Sequence, residues 1–310
     1  MDWGIHLPHL GRQATRRGLL DFAQHAEAVG FHSGWVSDHV AWPRTIESQY
    51  PYSDDGSFAP PMDMPWLDPI GTLFFVAGCT ETLKLGPTVL ILPYRPPVLT
   101  AKAIASLDHL SEGRVILGVG VGWMREEFEV LGMPYDRRGK RADEQLELFR
   151  SFFADPTPSF SGEFYEVPEV GFEPKPVNRS VPIWVGGDSE AAFRRVARFG
   201  DAFHAAFQPL ETVEASWARV RVLTAEAGRD EASVRLSIRL YLDPGGSMPA
   251  ATSIAGSPAE MLDTIGRWEA IGVDHILLDP VAPGGLPGRR AAMERFMLDV
   301  APQVSGPSAT

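Results

Sequence analysis

A chain of 310 residues with 44% hydrophobic and 22% charged side chains can build one large core, and nothing in that balance marks wholesale disorder. The formal net charge of -12 repels phosphate backbones and anionic lipid surfaces, which excludes nucleic acid and membrane as natural partners and favours a small-molecule substrate. A single cysteine, Cys79, excludes an internal disulfide and a Cys-rich metal site; with neither a signal peptide nor an apolar run of spanning length, the expected location is cytoplasmic.

In chain order, Trp3 to Leu7 reads as a first strand, and the apolar spacing from Arg16 to Val29 as a helix stopped by Gly30. Gly34 to Ser37 is a second strand that delivers Asp38 and His39 at its C-terminal end. Residues 42–68 change character: rich in Pro, Tyr, Ser and Asp and without periodicity, they predict a lid-like loop in which Tyr50, Tyr52, Phe58 and Trp66 cover a planar ligand. A helix over 69–80 follows, then the unit that organises the chain: a strand from Lys84 to Leu92, a helix from Val98 to Leu110 and a strand from Arg114 to Val119. A broken helical region spans 126–153, and its charges, Arg138 among them, predict a solvated face or the rim of a pocket. Residues 156–176 read as an insertion with short strands.

Regularity then returns, with strands at 181–185, 201–206, 234–242 and 273–278, helices at 190–199, 211–227, 258–271 and 289–300, and a frayed tail over 304–310. Eight strand–helix units in a single domain spanning 1–310 predict a closed (β/α)8 TIM barrel with insertions after strands 2 and 4. Its chemistry belongs on the loops that follow the strands.

Two glycine-bearing strand ends stand out. Gly118, Gly120 and Gly122, followed by Trp123, lack the Cβ atoms that would keep a ligand off the backbone, or simply form a tight βα turn. Gly186, Gly187, Asp188 and Ser189 open a helix, as suits a phosphate held by N–H groups and the helix dipole, or simply a capped helix start; Asp188 argues mildly against phosphate. His39 is the preferred proton-transfer group, with Asp38 or a backbone carbonyl fixing its tautomer. His6 and His9 are separated by Leu7 and Pro8, not the alternation that aims two imidazoles the same way, so no metal site is expected.

The segments WVSDHV, WLDPIGTLFFVAGCTETLKLGPTVLILPYRPPVLTAKAIASLDHLSEGRVILGVGVGW, EEFEVLG, GEFYEV, PIWVGG and GVDHILLD, in order across nearly the whole chain, resemble the bacterial luciferase-like monooxygenase superfamily, and within it the branch of F420-dependent oxidoreductases. The resemblance implies a coenzyme, deazaflavin F420 or alternatively FMN, at the strand C-termini. Asp38 and His39 then lie beside its ring, and Val89 and Leu90 form a bulge that backs it, often through a non-proline cis peptide. Gly120, Gly122 and Trp123 form the loop after the fourth strand, and Gly186, Gly187, Asp188 and Ser189 the phosphate side. The implied activity is hydride transfer to or from a small organic substrate with His39 handling the proton; an FMN-dependent monooxygenase and a non-catalytic coenzyme-binding protein are the alternatives. Relatives suggest a homodimer. The departure is FHAAF at 203–207, which bears on the far wall of the pocket.

Overall fold

The computed structural model describes residues 1–51, 53 and 55–304. The strands are β1 (Asp2–His6), β2 (Ser33–Val36), β3 (Lys84–Pro87), β4 (Leu90–Ile91) and β5 (Leu117–Gly120). After a hairpin of β6 (Phe160–Ser161) and β7 (Glu166–Val167) come β8 (Ile183–Gly186), β9 (Ala202–Ala206), β10 (Arg235–Asp243), β11 (Ser253–Ala255) and β12 (Val273–Pro280). The main sheet runs β3-β2-β1-β12-β10-β9-β8-β5-β4, with β11 beside β10. Its neighbours pair in parallel, for example Gly4 with Leu277 and Ile5 with Gly34. The ring closes where the Leu85 N–H donates to the Arg114 carbonyl (2.8 Å) and the Ile116 N–H to the Leu85 carbonyl (2.9 Å).

β3 and β4 are two halves of one stave, so the ring has the eight positions of a TIM barrel. The predicted strand over 84–92 is interrupted at Thr88 and Val89, whose peptide bond is cis. The irregularity therefore lies between Thr88 and Val89, one residue earlier than the Val89–Leu90 step that the resemblance suggested.

The barrel floor is filled by Trp35, packed against Ile116, Trp184, Ala202 and Leu277. So large a side chain inside eight strands demands absent ones opposite it. A Cβ on Gly86 would lie 2.6 Å from the Trp35 ring, one on Gly4 2.8 Å from its indole nitrogen, and one on Gly118 2.0 Å from the Pro87 carbonyl oxygen. Gly118 is thus a packing glycine and not a ligand-facing one.

Helices cover the outside. Their buried faces follow the predicted spacing, as in Leu146, Phe149, Phe152 and Phe153 of the Arg138–Ala154 helix. Ser257 caps the Pro258–Ala270 helix with a full capping box through Glu260. The helical region at 126–153 is two helices, Arg125–Val130 and Arg138–Ala154. The turn between them holds Gly132 at φ 65 and Pro134, and Arg137 takes a left-handed conformation at φ 62. Residues 155–182 carry the β6–β7 hairpin. The loop over 42–68 has no helix or strand among its described residues and is tied to the N-terminal segment by a bridge between Leu10 and Trp66. Of the tail, Val304 is described, and residues 305–310 lie outside the described residues.

Candidate active site

β2 ends at Val36, and the chain passes over the C-terminal rim of the barrel through Ser37, Asp38 and His39. The two site residues part company there. His39 Nδ1 lies 2.7 Å from Glu127 Oε2, and the same carboxylate accepts from the Tyr94 hydroxyl (2.8 Å) and the Val40 and Ala41 N–H groups (2.5 and 3.1 Å). Burial works against ionisation of Glu127, but the donors around it, His39 foremost, outweigh that and hold its pKa below the ordinary value. Tyr94 is pushed up by burial and by the neighbouring carboxylate. An ionised carboxylate only accepts, so His39 carries its proton on Nδ1, and Nε2 is the ring nitrogen without it.

Asp38 turns the other way. Its carboxylate, 0% exposed, receives Arg95 Nη1 at 2.5 Å, Arg95 Nη2 at 2.8 Å and the Ile91 N–H at 2.8 Å. Burial raises the Asp38 pKa even with Arg95 in place. The group that fixes the His39 tautomer is therefore Glu127, not the neighbour in sequence, while Asp38 locks the β2 tip to β4. Sequence reasoning passed over Glu127. The available signal was an acid inside EEFEVLG directly before Phe128, a residue that is fully buried; the adjacent Glu126 instead accepts the N–H groups of Glu47 and Ser48 in the loop.

His39 opens on a cavity of about 650 Å³ that reaches to Gly186, Gly187, Asp188 and Ser189, so the two strand-tip clusters read from the sequence line one space. Phe58 stacks on the His39 ring at 5.0 Å and Trp66 meets it edge-on at 4.8 Å, with Trp123 at 6.2 Å. Tyr50 also lines the cavity, and Tyr52 lies outside the described residues. Val89 and Ile91 project inward, but Leu90, between them, is fully buried in the outer core and does not line the cavity. That is the period of a strand, in which successive side chains point to opposite faces.

Val89 sits between two strand tips. A Cβ on Gly120 would come within 2.4 Å of one of its methyl groups, and a Cβ on Gly186 within 2.9 Å of the other. Gly122, at φ 78, lies against Ile91 and Phe128, and Gly187 is at φ 116. These glycines are needed by their protein neighbours. Ser189 caps the Glu190–Phe199 helix by accepting the Ala192 N–H, and Asp188 accepts from Gln208 at 3.3 Å.

Cations flank that helix start. Arg195 is nearly buried, donating through Nε to Asp143 (2.6 Å) and through Nη2 to the Gly139 carbonyl (3.1 Å). Arg138 donates to the Gly122 carbonyl at 2.9 Å and lies at the rim, one of the two placements its sequence allowed. Arg195 was not singled out from the sequence; its inward position depends on how its helix is rotated against the barrel.

The far wall is where FHAAF ends. Phe207, at φ 49, stacks on Tyr241 at 4.3 Å and has the Arg239 guanidinium 4.8 Å from its ring centre. Arg239 Nη2 pairs with Asp279 at 2.5 Å, while its buried Nε has no partner among the described residues. His6 lies 2.9 Å from the Ser37 hydroxyl and 3.6 Å from Asp279. Burial pushes His6 well below its ordinary pKa and His9 to about 4, so both rings are neutral near pH 7. Among the described residues no group of three or more His, Cys, Asp or Glu is placed to hold a metal ion, and no helix is long and apolar enough to cross a membrane.

A family model for luciferase-like monooxygenases matches residues 4–245. The chain belongs to this family. An uncharacterised protein of Mycobacterium tuberculosis is 37% identical over 210 residues, 68% of this chain and 72% of that protein. An F420-dependent glucose-6-phosphate dehydrogenase of Amycolatopsis mediterranei is 31% identical, over 60% of this chain and 52% of that enzyme. An FMNH2-dependent dimethylsulfone monooxygenase of Pseudomonas fluorescens is 31% identical, over 53% and 45%. Among solved structures, the F420-dependent tetrahydromethanopterin reductase of Methanopyrus kandleri superposes with a TM-score of 0.78 at 17% identity, covering 98% of this chain and 99% of that one. In TIM-barrel enzymes generally the active site lies at the rim after the strands. A second cavity, of about 710 Å³, lies at the opposite end, where Arg235 is already paired with Asp2 and Asp274.

Proposed function

We propose that the chain is an oxidoreductase that uses the deazaflavin F420 for hydride transfer to or from a small organic substrate. The observation that carries this reading is His39, held through Nδ1 by buried Glu127 with Nε2 left for a ligand, at one end of a cavity whose other end has a helix N-terminus and two arginines. The donor set suits a planar, anionic-tailed coenzyme. Val89, Gly120 and Gly186 offer a smooth floor, the Tyr50, Phe58, Trp66 and Trp123 side an aromatic wall, and the Glu190–Phe199 helix start with Arg138 and Arg195 a place for phosphate.

When bound, the deazaflavin supplies the hydride acceptor or donor. The protein's own part is to orient, to keep water out and to move a proton. With Nδ1 protonated, His39 Nε2 is a base toward a substrate hydroxyl in the oxidative direction; once protonated it returns that proton to a carbonyl oxygen in the other. Glu127 stabilises the imidazolium in between, since its charge lies against Nδ1. Asp38 acts through Arg95 as a positioning group, and the 42–68 loop acts as the lid.

An FMN-dependent monooxygenase is the second reading, favoured by the resemblance to the dimethylsulfone enzyme. Titration of the purified protein with F420 and with FMN, followed by fluorescence quenching, separates them. Tight binding of F420 supports the proposal, and binding of FMN alone overturns it.

A further inference from the structure

A single hydrogen-bonded chain runs through the barrel interior up to the cavity. Trp35 Nε1 donates to Ser33 Oγ at 2.8 Å, and Ser33 Oγ lies 3.1 Å from His275 Nε2. His275 Nδ1 is 2.8 Å from Ser237 Oγ, Ser237 Oγ is 2.9 Å from His204 Nδ1, and His204 Nε2 is 2.9 Å from Thr88 Oγ1. Every member is buried, with Thr88 the most accessible at 8%, and only Thr88 and His204 line the cavity. Trp35 is further stacked on His204, ring centres 5.3 Å apart, so the links are held by packing as well.

The direction of the chain is set at its inner end. An indole N–H can only donate, so Ser33 accepts from Trp35, and the one acceptor that its own hydrogen meets among the described residues is His275 Nε2. Burial holds the His204 pKa at about 3 and His275 well below its ordinary value, so both rings are neutral and each bears one N–H. His275, accepting at Nε2, donates from Nδ1 to Ser237. Ser237 then donates to His204 Nδ1, and His204 donates from Nε2 to Thr88 Oγ1. Every assignment of these five links leaves one hydroxyl hydrogen without an acceptor in the chain; the others strand it at Ser33 or Ser237, both fully buried, and this one places it at Thr88, which lines the cavity. Thr88 is thereby left with a hydroxyl hydrogen that has no acceptor among the described residues, on the floor of the cavity beside Val89.

We propose that Thr88 is a coenzyme-binding residue: its hydroxyl, committed to donate by the chain from Trp35 through His204, gives its hydrogen to a carbonyl oxygen or ring nitrogen on the edge of the planar coenzyme. His204, Ser237 and His275 are positioning residues that act through Thr88. The naming of the coenzyme rests on the proposed function, whereas the donor polarity of Thr88 rests on the chain alone.

Two measurements test it. In uniformly 15N-labelled full-length protein without ligand, long-range proton–nitrogen correlations are expected to show His204 as the Nε2–H tautomer and His275 as the Nδ1–H tautomer. Finding His204 as the Nδ1–H form or as an imidazolium near neutral pH overturns the donor polarity, and the proposal with it. In the binding titration, Thr88→Val is expected to weaken coenzyme affinity about tenfold, the size of one hydrogen bond, while Thr88→Ser stays within about twofold. Unchanged affinity in a folded Thr88→Val protein overturns the proposal. Ser237→Ala serves where Thr88→Val does not fold: it cuts the chain away from the cavity and is expected to give a mixture of His204 tautomers and weaker binding, and unchanged tautomer and affinity count against the chain. If wild-type protein binds neither F420 nor FMN, the proposed function fails and the coenzyme part of this proposal with it, while the tautomers still decide the donor polarity.

Discussion

Replacing Glu127 by Gln keeps the shape of the side chain and inverts part of its hydrogen bonding. The amide oxygen can still accept from Val40 and Ala41, but an NH2 group now faces the His39 Nδ1–H and the Tyr94 hydroxyl, which both donate to Oε2. Bonds to a charged acceptor are each worth roughly 1.5–3 kcal/mol. His39 recovers part of the loss by switching to the Nε2–H tautomer and accepting from the amide, which leaves a net cost of about 3 kcal/mol. At roughly 2–3 °C per kcal/mol for a chain of this size, the melting temperature falls by about 6–9 °C. Thermal unfolding followed by circular dichroism measures the fall, and nitrogen chemical shifts read the tautomer. Glu126→Gln is the control, because its bonds come from backbone N–H groups in the loop and an amide oxygen can keep them. A Glu127→Gln protein that melts within about 1 °C of wild type with His39 still protonated on Nδ1 refutes the reasoning. If the proton-transfer role is right, the same variant loses at least about a hundredfold in turnover while still binding coenzyme.

Arg95→Met leaves the Asp38 carboxylate buried without its bidentate partner, and a loss of about 3–5 kcal/mol is expected in urea denaturation at pH 7, much reduced in the Arg95→Met, Asp38→Asn double variant. Gly118→Ala drives a methyl group into the Pro87 carbonyl and is expected to destabilise by about 2 kcal/mol or more, with Gly171→Ala, which meets no neighbour and is likewise not at positive φ, as the control. Acid stability follows from the buried histidines: His9 at about 4 and His204 at about 3 stay neutral when folded but take up protons below about 6.5 when unfolded. Their depressed values leave stability intact above about pH 6.5 and reduce it as pH falls through the window down to pH 4–3. Between pH 6.5 and 5 each costs roughly 2 kcal/mol, with His6 and His275 acting in the same direction. A melting temperature that is flat from pH 7 to 5 contradicts that assignment.

The sequence by itself determined the barrel. Alternating buried strands and amphipathic helices, with turn and cap residues such as Gly30 and Ser257 between them, leave few other ways to bury so many apolar runs, and the order of elements was legible before any coordinates. It also placed Asp38, His39 and both glycine clusters at strand ends, because position along a strand is a one-dimensional fact. Partnership is not. That Glu127 and not Asp38 holds His39, that Leu90 turns outward while Val89 and Ile91 turn in, and that Gly118 serves Trp35 and Pro87 all depend on which side chains meet across the barrel, between segments tens to hundreds of residues apart. The hydrogen-bonded line from Trp35 to Thr88 draws on β2, β12, β10, β9 and the break between β3 and β4, five places no local pattern connects. Only closure of the ring brings them within 3.1 Å of one another, and only burial there makes the direction of each hydrogen a matter of stability.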